Sequence, residues 1–289
     1  MNILVTGGSG FVGGELVKML SINYRVRVLD SVECRIDGVE VMVGSILDQR
    51  AVGSALADME VVFHLAGQID EGFSRRKPQE DLEINGLGTL NILEGCRENS
   101  VRRIIFASTA AVYGIPGEDL VGEFHETRPV TPYGCSKLCA ESYIKAYSTM
   151  YGLDYTILRF FNIYGSRGKG VVNVFLNRVV RNEDLQISGD GSQYRDFLYI
   201  NDAMNAYRAS LSDNAKNQTF NIGSGKRVTI KELAEEVIQI TNSSSKMNFV
   251  PTKDVSPEYP VANIEYARKL LSFEPRYSIR DGLRLMCSI

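Results

Sequence analysis

No apolar run in the 289-residue chain approaches the ~18–20 residues of a membrane span, so a membrane is not an expected partner. Basic tracts and stripes are missing too: 32 Lys plus Arg stand against 35 Asp plus Glu, a formal charge of −3, which argues against a nucleic-acid partner. There are only 2 histidines, His64 and His125, far apart in the chain, and a catalytic metal site is not expected. His64 reads as a structural strand-end residue and His125 as part of a polar loop. The five cysteines (Cys34, Cys96, Cys135, Cys139, Cys287) are an odd number without paired metal spacing, which fits a reduced, cytoplasmic compartment. Cys135 and Cys139 share a helical face; burial as small apolar residues is favoured over an oxidisable pair. Met1 and Asn2 run straight into Ile3-Leu4-Val5, with no basic region or cleavage-like site, so no signal peptide is expected. No repeat or low-complexity segment stands out, and Asn242–Lys246 reads as a short polar loop. What remains is ordinary globular composition, 44% hydrophobic and 23% charged, long enough for one large α/β domain or two coupled ones.

The first half alternates strand-like and helix-like segments. Asn2–Val5, Val26–Asp30, Val39–Val43, Val61–Leu65, Arg103–Ser108 and Tyr155–Phe160 read as strands. Gly10–Leu20, Asp48–Leu56, Gly86–Glu98 and Ser136–Tyr151 read as helices, and Arg75-Arg76-Lys77 as a solvated loop. Continuous apolar strands in βαβ order imply a parallel sheet covered on both faces, an α/β fold of the doubly wound Rossmann type. After the Gly165–Gly170 connection come a helix at Val172–Val180, strands at Leu185–Ser188 and Thr219–Ile222, and a helix at Thr229–Thr241. Thr229 followed by Glu232 has the spacing of a capping box, and Asn263 is expected to cap Ile264–Leu271. We expect a dinucleotide-binding domain over 1–165, rejoined by about 195–220, and a smaller C-terminal α/β substrate lobe over 166–194 and 221–289.

Two constellations carry chemistry. Ile3-Leu4-Val5 runs into Thr6-Gly7-Gly8-Ser9-Gly10-Phe11-Val12-Gly13, which opens a helix. Gly7 permits a tight turn, Gly10 lets backbone approach a pyrophosphate, and Gly13 allows close helix–strand packing; the free N–H groups of Phe11, Val12 and Gly13 and the helix dipole favour the anion. Asp30 ends the second strand, where a carboxylate accepts hydrogen bonds from a ribose and repels a 2′-phosphate; with Ser31 and Val32 beside it, NAD is favoured over NADP. The second constellation is Tyr133-Gly134-Cys135-Ser136-Lys137, whose four-residue spacing puts Tyr133 and Lys137 on one helical face. A phenol of pKa ~10 is a poor base at neutral pH unless an ammonium stabilises its phenolate. Ser108 and Thr109 place hydroxyls at the C-terminal end of a strand, where such sheets bind ligands.

With His64-Leu65-Ala66-Gly67, Ser108-Thr109-Ala110-Ala111-Val112-Tyr113-Gly114, Arg159-Phe160-Phe161-Asn162-Ile163-Tyr164-Gly165 and Gly189-Asp190-Gly191-Ser192-Gln193-Tyr194-Arg195-Asp196-Phe197, the chain resembles an extended short-chain dehydrogenase/reductase over nearly its whole length. Within that group it is similar to the NAD-dependent nucleotide-sugar epimerase/dehydratase family, closest in motif to UDP-glucose 4-epimerases. The resemblance implies Thr109, Tyr133 and Lys137 as catalytic residues. It implies Ser45, Ile46, Leu65, Ala66, Gly67, Asn85, Ser108 and Phe160 around the cofactor, with Tyr133 and Lys137. For the substrate it implies Thr109, Tyr133, Asn162, Val171, Arg195 and Lys253, the arginine suiting a diphosphate. It also implies a homodimer paired through the apolar helices at Gly86–Glu98 and Ser136–Tyr151.

By the same resemblance, dehydratases and decarboxylases of the family carry an acidic residue directly beside the catalytic hydroxyl. Here Ala110 and Ala111 follow Thr109 and cannot transfer protons, which leaves oxidation and re-reduction at one carbon, a 4-epimerisation through a 4-keto intermediate. A nucleotide-sugar reductase and a non-catalytic dinucleotide sensor are the rival readings. Three departures bear on the substrate: Ser45 where an aspartate is usual, Ser188 where an aromatic often stacks on uracil, and Lys253-Asp254-Val255-Ser256 in place of an arginine-containing segment. Pro260, or Tyr259 if the alignment slips by one, falls near an aromatic gate of strict glucose/galactose enzymes; a proline there leaves room for an N-acetyl group.

Overall fold

The computed structural model describes every residue except Arg35, Glu118, Asp119, residues 252–259 and Ile289. Lys253, Asp254, Val255, Ser256 and Tyr259 therefore lie outside the described residues. The chain divides into two compact units: Met1–Gly114 with Glu126–Arg159 and Tyr207–Phe220, and Ile115–His125 with Phe160–Ala206 and Asn221–Ile289.

The first unit is built on a seven-stranded sheet. In chain order its elements are β1 (Asn2–Thr6), α1 (Phe11–Ser21), β2 (Arg25–Asp30), β3 (Glu40–Val43), α2 (Gln49–Leu56), β4 (Val61–His64), α3 (Glu71–Arg76), α4 (Pro78–Leu82), α5 (Gly88–Glu98), β5 (Arg103–Thr109), α6 (Pro132–Tyr151), β6 (Asp154–Phe160) and β7 (Gln218–Ile222). The strand order is β7-β6-β5-β4-β1-β2-β3. The pairs β1–β2, β2–β3, β1–β4 and β4–β5 are all parallel. The order reverses at β1, with β2 on one side and β4 on the other, and that reversal opens the crevice where doubly wound sheets bind ligands. Ile3, Leu4 and Val5 are fully buried, as strands covered on both faces require. Leu56, Ile92, Leu93, Ile104, Ile144 and Ile157 belong to one core that joins α2, α5 and α6 to the sheet.

Local chemistry fixes the long helix. The Thr131 hydroxyl accepts the Gly134 N–H at 3.1 Å, Pro132 occupies the first turn, and Gly152 (φ +71°) ends α6 in the left-handed region. Three expectations change here. Arg75 and Arg76 close α3 instead of lying in a loop, though both are exposed as expected. The helical stretch leading to Glu98 begins at Pro78, with a π-helical segment, Glu83–Leu87, between α4 and α5. Of the two helix cysteines, Cys139 is half-buried but Cys135 is exposed, because its position on α6 faces away from the core.

The second unit is made of short ribbons and helices. Asn162–Tyr164 pairs with Phe197–Tyr199, Leu185–Ser188 with Met247–Val250, Leu120–Val121 with Val261–Ala262, all parallel, and Tyr194–Arg195 with Val228–Thr229, antiparallel. The helix Ile230–Thr241 starts in the expected capping box of Thr229 and Glu232. The next helix runs Glu265–Leu271, one residue shorter than expected; its cap position is Ile264 and not Asn263, whose side chain accepts the Glu265 N–H at 3.0 Å from one residue further out. Asp196 ties this unit together. Its fully buried carboxylate accepts from the N–H groups of Ser224 (2.6 Å), Gly225 (3.1 Å) and Ala262 (3.0 Å) and from the Ser224 hydroxyl (2.6 Å).

Candidate active site

The loop after β1 is limited by backbone contact. Gly7 has φ +76°, and a Cβ there would stand 2.7 Å from the Ala66 nitrogen; one on Gly13 would stand 2.0 Å from the Gly7 carbonyl oxygen. Neither position admits a side chain. Gly10 precedes α1 without any side-chain cap, so the first turn of that helix offers its N–H groups to an anion. Asp30 stands beside it, one carboxylate oxygen accepting the Ser9 N–H at 2.9 Å and the other the Val32 N–H at 3.0 Å. These bonds fix the carboxylate at the end of β2 while leaving lone pairs for a ribose. A Cβ-intolerant turn, an uncapped helix start and an oriented acid together fit the dinucleotide expected here.

Leu65, Ala66 and Gly67 leave β4 next to this loop. The Thr6 hydroxyl accepts the Ala66 N–H at 3.1 Å and meets His64 Nδ1 at 2.7 Å, while His64 Nε2 meets the Thr89 hydroxyl at 3.0 Å. Burial and the nearby Lys137 push the His64 pKa down to about 3, so it is a neutral connector. That matches its expected structural role. Ser45 accepts the Leu47 N–H at 3.1 Å, closing its own turn, and the Ile46 side chain joins the core with its carbonyl accepting from Asn91 at 3.0 Å.

The expected catalytic trio is brought together in the first unit. Thr109 ends β5 and Tyr133 and Lys137 lie on α6. Burial pushes the Tyr133 pKa up to about 12, opposed by the neighbouring Thr109 hydroxyl, with Glu71 and Asp81 adding to the rise. Burial pulls Lys137 down to about 8, opposed by Glu141 and Asp81, and its Nζ sits 4.2 Å from the Phe106 ring centre. The phenol alone cannot be a base at neutral pH, so the arrangement works only when positive charge is delivered beside it.

Behind the trio lies a network that motif reading missed. Glu141, fully buried, accepts from the Ser108 hydroxyl at 2.5 Å and from the Arg159 guanidinium at 3.0 and 2.7 Å. Arg159 also donates to the Tyr113 hydroxyl at 2.9 Å. Ser108 is thus held by an ion pair. Asn85 sits in the π-helical segment, accepting the Gln68 N–H at 2.9 Å and donating to the Ser136 hydroxyl at 3.0 Å and to buried Asp81 at 3.3 Å. Glu141 could have been found from its spacing, eight residues after Tyr133 and four after Lys137 on one face; Asp81 gives no such signal.

In the second unit, Asn162, Val171 and Arg195 line one cleft of about 780 Å³ with Ser188, Gln193 and Phe175. Val171 begins a helix whose cap position, Gly170, makes no side-chain cap bond, and the Arg195 guanidinium donates to the Tyr194 carbonyl at 2.7 Å. Phe160, expected near the cofactor, is buried at the end of β6 and falls in this second unit.

A family model for the NAD dependent epimerase/dehydratase family matches residues 3–223. A protein of Methanocaldococcus jannaschii named "Putative UDP-glucose 4-epimerase" is 40% identical over 295 residues, covering 98% of this chain and 96% of that one. UDP-N-acetyl-alpha-D-glucosaminuronate decarboxylase of Bacillus cytotoxicus is 32% identical, covering 97% and 95%. The solved UDP-glucose 4-epimerase of Thermotoga maritima with UDP-glucose superposes with a TM-score of 0.94 at 32% identity, covering 100% of this chain and 98% of that one. A family model that spans most of the chain, and relatives and a solved structure that match over nearly its whole length, show that this chain belongs to the NAD dependent epimerase/dehydratase family.

Proposed function

We propose that the chain is an NAD-dependent nucleotide-sugar 4-epimerase, an isomerase acting on UDP-sugars such as UDP-glucose/UDP-galactose or UDP-N-acetylhexosamines. One observation carries the choice of reaction within the family. Thr109 is followed by Ala110 and Ala111, both buried, so no acid–base side chain stands directly after the catalytic hydroxyl. Elimination and decarboxylation need such a group; proton transfer at a single hydroxyl does not.

The first unit holds NAD in this reading, through Gly7, Gly10, Phe11, Val12, Gly13 and Asp30, with Ser45, Ile46, Leu65, Ala66, Gly67, Asn85, Ser108, Tyr133 and Lys137; Phe160 is assigned to the same cofactor by resemblance alone. When bound, NAD supplies the two-electron oxidation of the sugar carbon and its reversal. Tyr133 Oη takes the proton of the sugar 4-hydroxyl and later returns it, Thr109 Oγ1 holds that hydroxyl, and the Lys137 ammonium stabilises the phenolate. Asn162, Val171 and Arg195 receive the diphosphate, and Lys253 extends that set. Pro260 is buried, and we assign it the place of a gate open enough for an N-acetyl group.

The assay is product analysis with UDP-galactose and UDP-N-acetylgalactosamine, without added cofactor or reductant. Conversion to the 4-epimer supports the proposal. A 4-keto-6-deoxy sugar, release of CO₂ from a UDP-uronic acid, or one oxidised cofactor per turnover would replace it with dehydratase, decarboxylase or reductase. Turnover of the unacetylated sugar alone would remove the role of Pro260. We also propose a cytoplasmic homodimer: Leu87 before α5 and Tyr143 and Met150 on α6 are exposed at 49%, 43% and 63%, and light scattering after size exclusion should give twice the 32.1 kDa of one chain. Among the described residues, no helix is long and apolar enough to cross a membrane.

A further inference from the structure

We infer that Asp81, which belongs to none of the recognised motifs, is a positioning residue for the Tyr133–Lys137 pair: its carboxylate is the counter-charge that keeps Lys137 an ammonium. The inference rests on reading Tyr133 as the base and Lys137 as its charge partner.

Asp81 is fully buried on α4. One oxygen accepts from Asn85 Nδ2 at 3.3 Å; burial raises the Asp81 pKa, and the Ser136 hydroxyl and the Lys137 ammonium oppose that rise. A carboxylate taken out of water is unfavourable unless a cation compensates it. The compensating group is close. The same Asn85 nitrogen donates to Ser136, the residue before Lys137, and a Cβ on Gly67 would stand 2.7 Å from Asn85 Oδ1 and 3.8 Å from Lys137 Nζ. Glu141 also favours the ammonium, and more strongly, but both of its oxygens are already bonded to Arg159. Among the described residues no guanidinium bonds Asp81.

The groups facing the pair are few. Asp81 from α4 and Glu141 from α6 favour the Lys137 ammonium, and burial opposes it. His64 from β4 is neutral. Glu71 from α3 and Asp81 both disfavour the Tyr133 phenolate. Arg159 from β6 and Lys145 from α6 face Glu141. Removing the Asp81 charge therefore makes Lys137 lose its proton at lower pH and lets Tyr133 ionise at lower pH. Both effects move in the same direction.

The test is Asp81→Asn, which keeps the shape and deletes the charge. Two readouts are taken: the pH profile of kcat/KM for UDP-galactose, and the NMR titration of [13Cε]-lysine, with the Lys137 signal assigned by its loss in Lys137→Arg. In the wild type the Lys137 signal should titrate near pH 8, the value to which burial brings it. In Asp81→Asn that titration and both limbs of the profile should move toward acid by on the order of one pH unit, the effect of one nearby charge. Asp81→Glu should restore both. An unshifted lysine titration, or activity lowered equally at every pH, overturns the inference. If Asp81→Asn does not fold, the smaller Asp81→Ser takes its place; failure of both to fold makes Asp81 structural and also overturns it. A Tyr133→Phe enzyme that still turns over would instead remove the reading on which the inference rests.

Discussion

The glycine turn after β1 and the hydroxyl cluster at the start of α6 lie in the same unit, yet opposite physics holds them in shape. The turn contains almost no side-chain information. Its limit is contact, with a Cβ on Gly13 standing 2.0 Å from a carbonyl oxygen. The cluster is made of side chains whose charges have been taken out of water: Asp81 and Glu141 at 0% exposure and Lys137 at 4%. The turn should therefore reject any added atom while ignoring pH. The cluster should accept changes of shape better than changes of charge.

Substitutions can break or sharpen that contrast. The largest effect belongs to Tyr133→Phe, which removes one oxygen and little packing: kcat should fall roughly 10²–10⁴-fold while the NAD content of the purified protein stays the same. Retained activity would shift the base elsewhere. Next, Glu141→Gln keeps the volume but leaves Arg159 buried without its counter-charge, and chemical denaturation should report a loss of about 3–5 kcal/mol; a loss under about 1 kcal/mol would mean the pair is neutralised by some other route. Gly13→Ala should act through contact alone, weakening NAD binding by about tenfold to a hundredfold, the equivalent of about 1–3 kcal/mol of overpacking. Equilibrium dialysis at pH 6 and pH 9 should give the same ratio; a ratio that varied with pH would blur the distinction between the two regions. Smallest is Asp30→Ser, which removes the charge-assisted bonds to a ribose and the repulsion of a 2′-phosphate. The preference for NAD over NADP should narrow by about tenfold, and an unchanged preference would take Asp30 out of cofactor selection.

The same contrast explains what could be read from residues alone. The strands Ile3–Val5 and Val26–Asp30 and the turn between β1 and α1 announce themselves because their constraints are local: continuous apolar runs, and glycines at fixed spacing. The Thr229 capping box was legible for the same reason, both partners lying within one turn. The segment from Glu71 to Leu87 was not. Its three short helical pieces are interrupted at Lys77-Pro78 and by the π-helical turn, so no 3.6-residue period survives long enough to be seen. Arg159 was visible in its motif but its partner was not, because the bond to Glu141 spans 18 residues and two elements. Cys135 was misplaced since a helix position alone does not say which way α6 turns its face.

The π-helical turn at Glu83–Leu87 gives the helical stretch one residue more than an α-helix of the same rise would carry. The widened turn absorbs that residue, so α4 and α5 keep the relative phase of one continuous α-helix on either side of it. Deleting Leu87 would let the stretch run on as regular α-helix, with Ile92 and Leu93 still seated in the core. Asn85 would then lose the widened turn that presents it to Gln68 and Ser136. The extra residue serves the asparagine and leaves the packing unchanged.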